Sequence, residues 1–84
     1  MKLSQLPRRT AAIVAGVDDA LPNDTIARRL RELGFVVGER VEVVAAGPFG
    51  AEPLLVQVGY TRFALRRSEA ARVRVQPDTA GAAA

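Results

Sequence analysis

The sequence predicts a mainly β domain: a small, strongly bent barrel of about five strands with one helix inserted after the first. Three observations predict it. Short apolar or alternating runs recur at Thr10–Val17, Arg40–Ala46, Leu54–Val58, Thr61–Leu65 and Arg72–Gln76, with turn-forming residues punctuating the intervals. A single stretch, from Asn23 to Leu33, carries helical rather than strand spacing. The chain has 84 residues and no internal repeat, which is one hydrophobic core and no more.

Taken in order, Leu3 and Leu6 are spaced for one helical turn and Pro7 stops it, which suits a short plug laid across a barrel end. The β-branched Thr10, Ile13, Val14 and Val17 make the first strand, although their alternation is poor. Asp18-Asp19 and Pro22-Asn23-Asp24 form a polar loop. Asn23 or Asp24 then caps a helix with a side-chain oxygen. Ile26, Leu30 and Leu33 share one helical face, while Arg28, Arg29, Arg31 and Glu32 point elsewhere. Gly34 supplies the left-handed closing residue. A helix of about ten residues does not persist without packing. Leu30, Leu33, Gly34 and Gly38 are therefore assigned architectural roles.

Beyond Gly38, Arg40-Val41-Glu42-Val43 alternates as a half-buried strand does. Two glycines and two prolines in Gly47-Pro48-Phe49-Gly50-Ala51-Glu52-Pro53 predict a loop. Leu54–Val58 and Thr61–Leu65 flank Gly59-Tyr60 as a hairpin. Ser68-Glu69-Ala70-Ala71 offers a cap and one helical turn. The closing strand Arg72–Gln76 turns Val73 and Val75 inward. The domain is drawn as residues 1–76, with 77–84 as a flexible tail.

Composition excludes several functions. The chain has no cysteine and no histidine, so thiolate and imidazole metal sites and the usual nucleophile–base pairs are missing. Asp18 and Asp19 are adjacent and point apart, which is no acid–base dyad. The glycines spell no phosphate loop. Asp18, Asp19 and Asp24 read as a solvated, helix-capping loop rather than a cation cage. Neither an enzyme nor a cofactor-bearing protein is expected. No apolar run approaches the roughly 20 residues of a membrane span, and the N-terminus lacks the apolar core of a secretory signal. A cytoplasmic protein is expected, with no insertion into a membrane.

Net charge is +3, and eleven of the twelve basic residues are arginine, spread among acids rather than massed in one block. That spread argues against a nucleic-acid tail. Phe63 is expected in the core, Phe35 under the helix and Tyr60 in a turn, leaving Phe49 as the aromatic positioned for display. One loop aromatic is a poor stacking platform, so no nucleic-acid partner is expected. Phe49, between Pro48 and Gly50, has two readings of equal weight: an anchor for a partner's pocket, or a lid folded back over the barrel end.

The run Arg29-Leu30-Arg31-Glu32-Leu33-Gly34-Phe35-Val36-Val37-Gly38 resembles the "R-L-x-x-L-G-hydrophobic-x-x-G" signature of the ferrous iron transport protein A family, FeoA. The resemblance continues through Val41–Val44, the Pro48-Phe49-Gly50 loop with Pro53, Ala64-Leu65-Arg66 with Glu69-Ala70, and Val73-Arg74-Val75. It departs at Pro7-Arg8-Arg9, where the family carries a glycine. It implies an SH3-like barrel and a cytoplasmic, non-catalytic accessory that binds the FeoB-type ferrous iron transporter, at its cytosolic GTP-binding region or its membrane part, and regulates or assembles it, reaching the inner membrane only through that partner; the transporter is a membrane protein with a cytosolic GTP-binding domain.

The contact candidates for such a partner are Pro48, Phe49 and Gly50 as the apolar anchor, with Arg28, Arg31 and Arg66 as the steering charges. An arginine finger from Arg66 or Arg31 would be the route to any effect on GTP hydrolysis. The alternatives are a free-standing SH3-like regulatory domain, of the type attached to metal-dependent repressors, and a nucleic-acid-binding barrel. Edge strands would also permit a homo-oligomer.

Overall fold

Strands form where the apolar alternation runs, and they break register where the chain has to bend. The computed structural model describes residues 1–78. The chain opens with a 3-10 turn, Leu3–Gln5, then β1 (Ala11–Val17), α1 (Thr25–Leu33), β2 (Arg40–Phe49), β3 (Glu52–Val58), β4 (Thr61–Leu65), α2 (Arg67–Ala70) and β5 (Val73–Pro77). The strands make one sheet in the order β4-β3-β2-β1-β5, every pair antiparallel. This is the mainly β, five-strand architecture with an inserted helix. The barrel is open, however: β4 and β5 are its two edges and no ladder joins them.

The inward residues are Ala12 and Val14 of β1, Val41 and Val43 of β2, Leu54, Val56 and Val58 of β3, Leu65 of β4, and Val73 and Val75 of β5, all buried. Leu3 and Leu6 enter the same core, with the 3-10 turn serving as the expected plug. The irregular alternation of β1 has a local cause: its register against β5 shifts between Val14 and Gly16, a bulge that spends one residue without a partner.

Helix α1 is capped by Asp24, whose Oδ1 accepts the backbone N–H groups of Ile26 and Ala27 at 3.0 and 3.3 Å. It ends at Gly34, whose φ of 117° is strained for any residue with a Cβ. The N–H of Phe35 then returns to the carbonyl of Leu30 at 3.1 Å, and the Phe35 ring drops into the core. Phe35 meets Phe63 with ring centroids 6.0 Å apart. Ala27 and Leu30 are the fully buried residues of α1, with Ile26 and Leu33 packed at the margin.

Two sequence expectations need correction. The stretch from Gly47 to Pro53 is not a loop. Strand β2 continues to Phe49, β3 begins at Glu52, and the turn is only Gly50-Ala51, both at φ 63°. Glycine and proline are tolerated because the β2–β3 register slips between Ala46 and Phe49, so the missing N–H of Pro48 leaves the ladder intact. Gly47 sits where the backbone of Glu52 passes too close for a Cβ. The second correction concerns α2. Its N-cap is Arg66 rather than Ser68, and the Arg66 N–H donates to Glu69 Oε1 at 2.8 Å. The expected tail overlaps β5 at Pro77, which pairs with Ala12; residues 79–84 lie outside the described residues.

Candidate partner-binding surface

Phe49 stands at the tip of the β2–β3 hairpin, paired with Glu52 and 82% exposed. It is displayed, not folded over the barrel end. The two-residue turn Gly50-Ala51 holds it, with Pro48 exposed on the preceding strand. Glu52 ties this tip to α2, because its Oε2 accepts the backbone N–H of Arg67 at 2.7 Å. Exposed Arg66, the adjoining residue, therefore lies at the same end of the molecule as Phe49.

The helix arginines sit elsewhere. Arg31 donates to the carbonyl of Val17 at 2.7 Å and to Asp19 Oδ1 at 2.8 Å, beyond the C-terminal end of β1. In register, Ala11 at the other end of β1 pairs with Glu42, and β2 continues past Glu42 to reach Phe49. Phe49 and Arg31 thus occupy opposite ends of the sheet. Arg28 is exposed on α1 and enters no ion pair among the described residues. Leu30 and Leu33 face the core and its margin, while Gly34 and Gly38 take positive φ. The Gly38 N–H donates to the Val14 carbonyl at 2.9 Å and the Val14 N–H to the Glu39 carbonyl at 2.8 Å, so this turn continues the β1–β2 pairing.

The polar loop is organised by arginines. Asp18 pairs with Arg74 at 2.8 Å, Asp19 with Arg31 at 2.8 Å and Asp24 with Arg72 at 2.6 Å. The last pair is buried, with side chains 2% and 10% exposed, and the first two are about half exposed. Asp24 is held at a pKa of about 2. The Arg72 guanidinium is the largest cause, followed by the backbone N–H of Ala20; burial pushes the other way, and the Ala27 N–H adds to the lowering. These carboxylates are spoken for by cations. Among the described residues no group of three His, Cys, Asp or Glu side chains could hold a metal ion, and no helix is long and apolar enough to cross a membrane.

Sequence reasoning missed a second displayed aromatic. Tyr60 is fully exposed in the turn between β3 and β4. Phe49 and Tyr60 lie at opposite ends of β3, roughly 20 Å apart at strand rise, so they make no common stacking platform. Its signal was its place beside Gly59 in a two-residue turn, where a large side chain has no core to enter.

An open, five-stranded SH3-like sheet with an inserted helix and an exposed aromatic on a hairpin tip defines the structural class. The family model described as "FeoA domain" matches residues 1–77. The chain belongs to the FeoA family. It is 67% identical to the FeoA of Stenotrophomonas maltophilia, over 90% of this chain and 89% of that one, with a TM-score of 0.85. That protein is described as a prokaryotic SH3 domain protein, complexed with zinc, and as a candidate ferrous iron transport activating factor. The FeoA protein of Chlorobium tepidum is 33% identical over 93% of this chain and 70% of that one, with a TM-score of 0.79. A manganese-dependent transcriptional repressor is 22% identical over 92% of this chain and 41% of its own, with a TM-score of 0.76, a likeness of fold alone. A search of curated proteins found no match.

Proposed function

We infer that this protein is a non-catalytic accessory of ferrous iron transport, acting by docking on the cytosolic part of a FeoB-type transporter and assembling or regulating it. The observation that carries the reading, beyond membership of the family, is Phe49. Phe49 is 82% exposed at the end of β2, beside a two-residue turn, and aromatic side chains are enriched at the cores of protein interfaces. Pro48 and Gly50 shape the tip, and Arg66 at the same end supplies a cation for an acidic partner surface. Arg28 and Arg31 form a second, distal basic region, with Arg31 partly committed to Asp19. The protein then works in the cytoplasm, at the membrane only through its partner.

Ferrous iron uptake by cells lacking the native copy tests this. Plasmid-borne wild-type protein restores uptake and Phe49→Ala at equal abundance does not. Full restoration by Phe49→Ala would remove the hairpin tip from the mechanism.

A further inference from the structure

A groove runs between α1 and the free edge of β4 and encloses about 490 Å³. The α1 wall presents Ile26, Arg29, Leu30 and Leu33, one helical face. The opposite wall is Arg62, Phe63, Ala64 and Leu65, four successive residues of one strand. Side chains of successive strand residues point to opposite faces, so a groove that touches all four is running along the strand's edge.

The register says which backbone groups that edge offers. Val58 and Thr61 flank a two-residue turn and form a hydrogen-bonded pair, so Val56 with Phe63 and Leu54 with Leu65 do also. Arg62 and Ala64 fall on the alternate positions. Their N–H and C=O groups point away from β3, toward the groove, and no backbone partner meets them among the described residues.

We propose that this groove is a peptide-binding site in which an extended, acidic segment of a partner protein adds as a sixth strand to β4. Backbone bonds to Arg62 and Ala64 would hold it, an apolar side chain would rest on Ile26, Leu33 and Phe63, and its carboxylates would meet Arg29 and Arg62. Charge selects this occupant. Arg29 and Arg62 enter no ion pair among the described residues, and Arg62 spends only its Nε, on Gln57 Oε1 at 3.0 Å. Glu69, the one acid on the lining, already accepts the Arg66 N–H that closes the first turn of α2. The site is therefore net basic around an apolar floor. Pairing with a second copy through the same edge would set two basic grooves of a +3 chain against each other. The site is distinct from the Phe49 tip and stands whether or not that tip docks on a transporter.

The test selects a display library of random linear peptides against the full-length chain, then titrates an enriched peptide into 15N-labelled protein. Enriched sequences should alternate apolar residues with Asp or Glu, and binding should shift the Arg62 and Ala64 amides and slow their hydrogen exchange. Arg29→Glu with Arg62→Glu should weaken binding at least tenfold, about what losing two charge-assisted contacts costs. Ala64→Pro removes one outward N–H without touching the β3 ladder, so it should abolish binding in a folded protein. Phe49→Ala should leave the affinity unchanged. The proposal is overturned by absence of enrichment, by enriched peptides without acids, by binding that survives Ala64→Pro in folded protein, or by self-association through β4 in place of peptide capture.

Discussion

Asp24 and Arg72, 48 residues apart in sequence, are joined at 2.6 Å inside the protein, and between them they fasten the start of α1 to the end of α2. Asp24 accepts the N–H groups of Ala20, Ile26 and Ala27 as well, and Arg72 donates to the Ser68 carbonyl at 2.8 Å. One carboxylate is both helix cap and tertiary tie, so its loss acts on several elements at once.

Acid should expose this tie. The folded-state pKa of Asp24 lies at about 2, below its ordinary 3.8, so its contribution to stability is complete above about pH 4 and is lost as pH falls through 2. Asp24→Asn keeps an Oδ1 for the cap but replaces the oxygen that meets Arg72 and the Ala20 N–H with an NH2 donor, so it should lower the melting temperature at pH 7 by roughly 5–10 °C. The gap between variant and wild type should narrow between about pH 4 and 2. Thermal melts across that range decide it; a gap independent of pH would show that the carboxylate charge is not what stabilises.

Ala51 carries a Cβ at φ 63°, where an L side chain is strained by about 1 kcal/mol. Ala51→Gly should therefore raise stability by about 0.5 kcal/mol in denaturant titration, after the greater entropy of glycine in the unfolded chain is offset. A loss of stability would mean that the Gly50-Ala51 turn relaxes elsewhere.

The Gly34 substitution should do the opposite. A Cβ there meets no atom within 4 Å, so the cost of Gly34→Ala is conformational alone. About 1 kcal/mol of destabilisation is expected from the left-handed φ of 117°. A neutral result would indicate that the helix ends differently in solution.

Phe35 is 1% exposed and packs on Phe63. Phe35→Ala should cost about 3–5 kcal/mol, much of the whole stability of a domain this size. Circular dichroism melts would read it as loss of a cooperative transition near room temperature.

Much of this was legible because single residues carry local instructions. The Ile26, Leu30 and Leu33 spacing, the Asp24 cap and the Gly34 stop mark α1 to within a residue or two. Val73 and Val75 announce β5 by alternation. What the sequence hid is set by partners distant along the chain. Gly47 and Pro48 read as loop, and only the register slip opposite β3 makes them strand. Asp18 reads as a solvated acid until Arg74, 56 residues on, reaches it. The β4 groove depends on which edge α1 lies beside, and no local pattern encodes that. Phe49 was named from its flanking Pro48 and Gly50, while its exposure came from the length of the hairpin.

Docking of the Phe49 tip on a FeoB-type transporter, the proposed function, is read most directly by binding. Purified protein should bind the cytosolic GTP-binding domain of its FeoB-type transporter saturably, measured with and without nucleotide. Phe49→Ala should weaken that binding at least tenfold, as a hot-spot truncation does, while stability stays within about 0.5 kcal/mol of wild type. Wild-type affinity in Phe49→Ala, or no binding in any nucleotide state, would contradict the account.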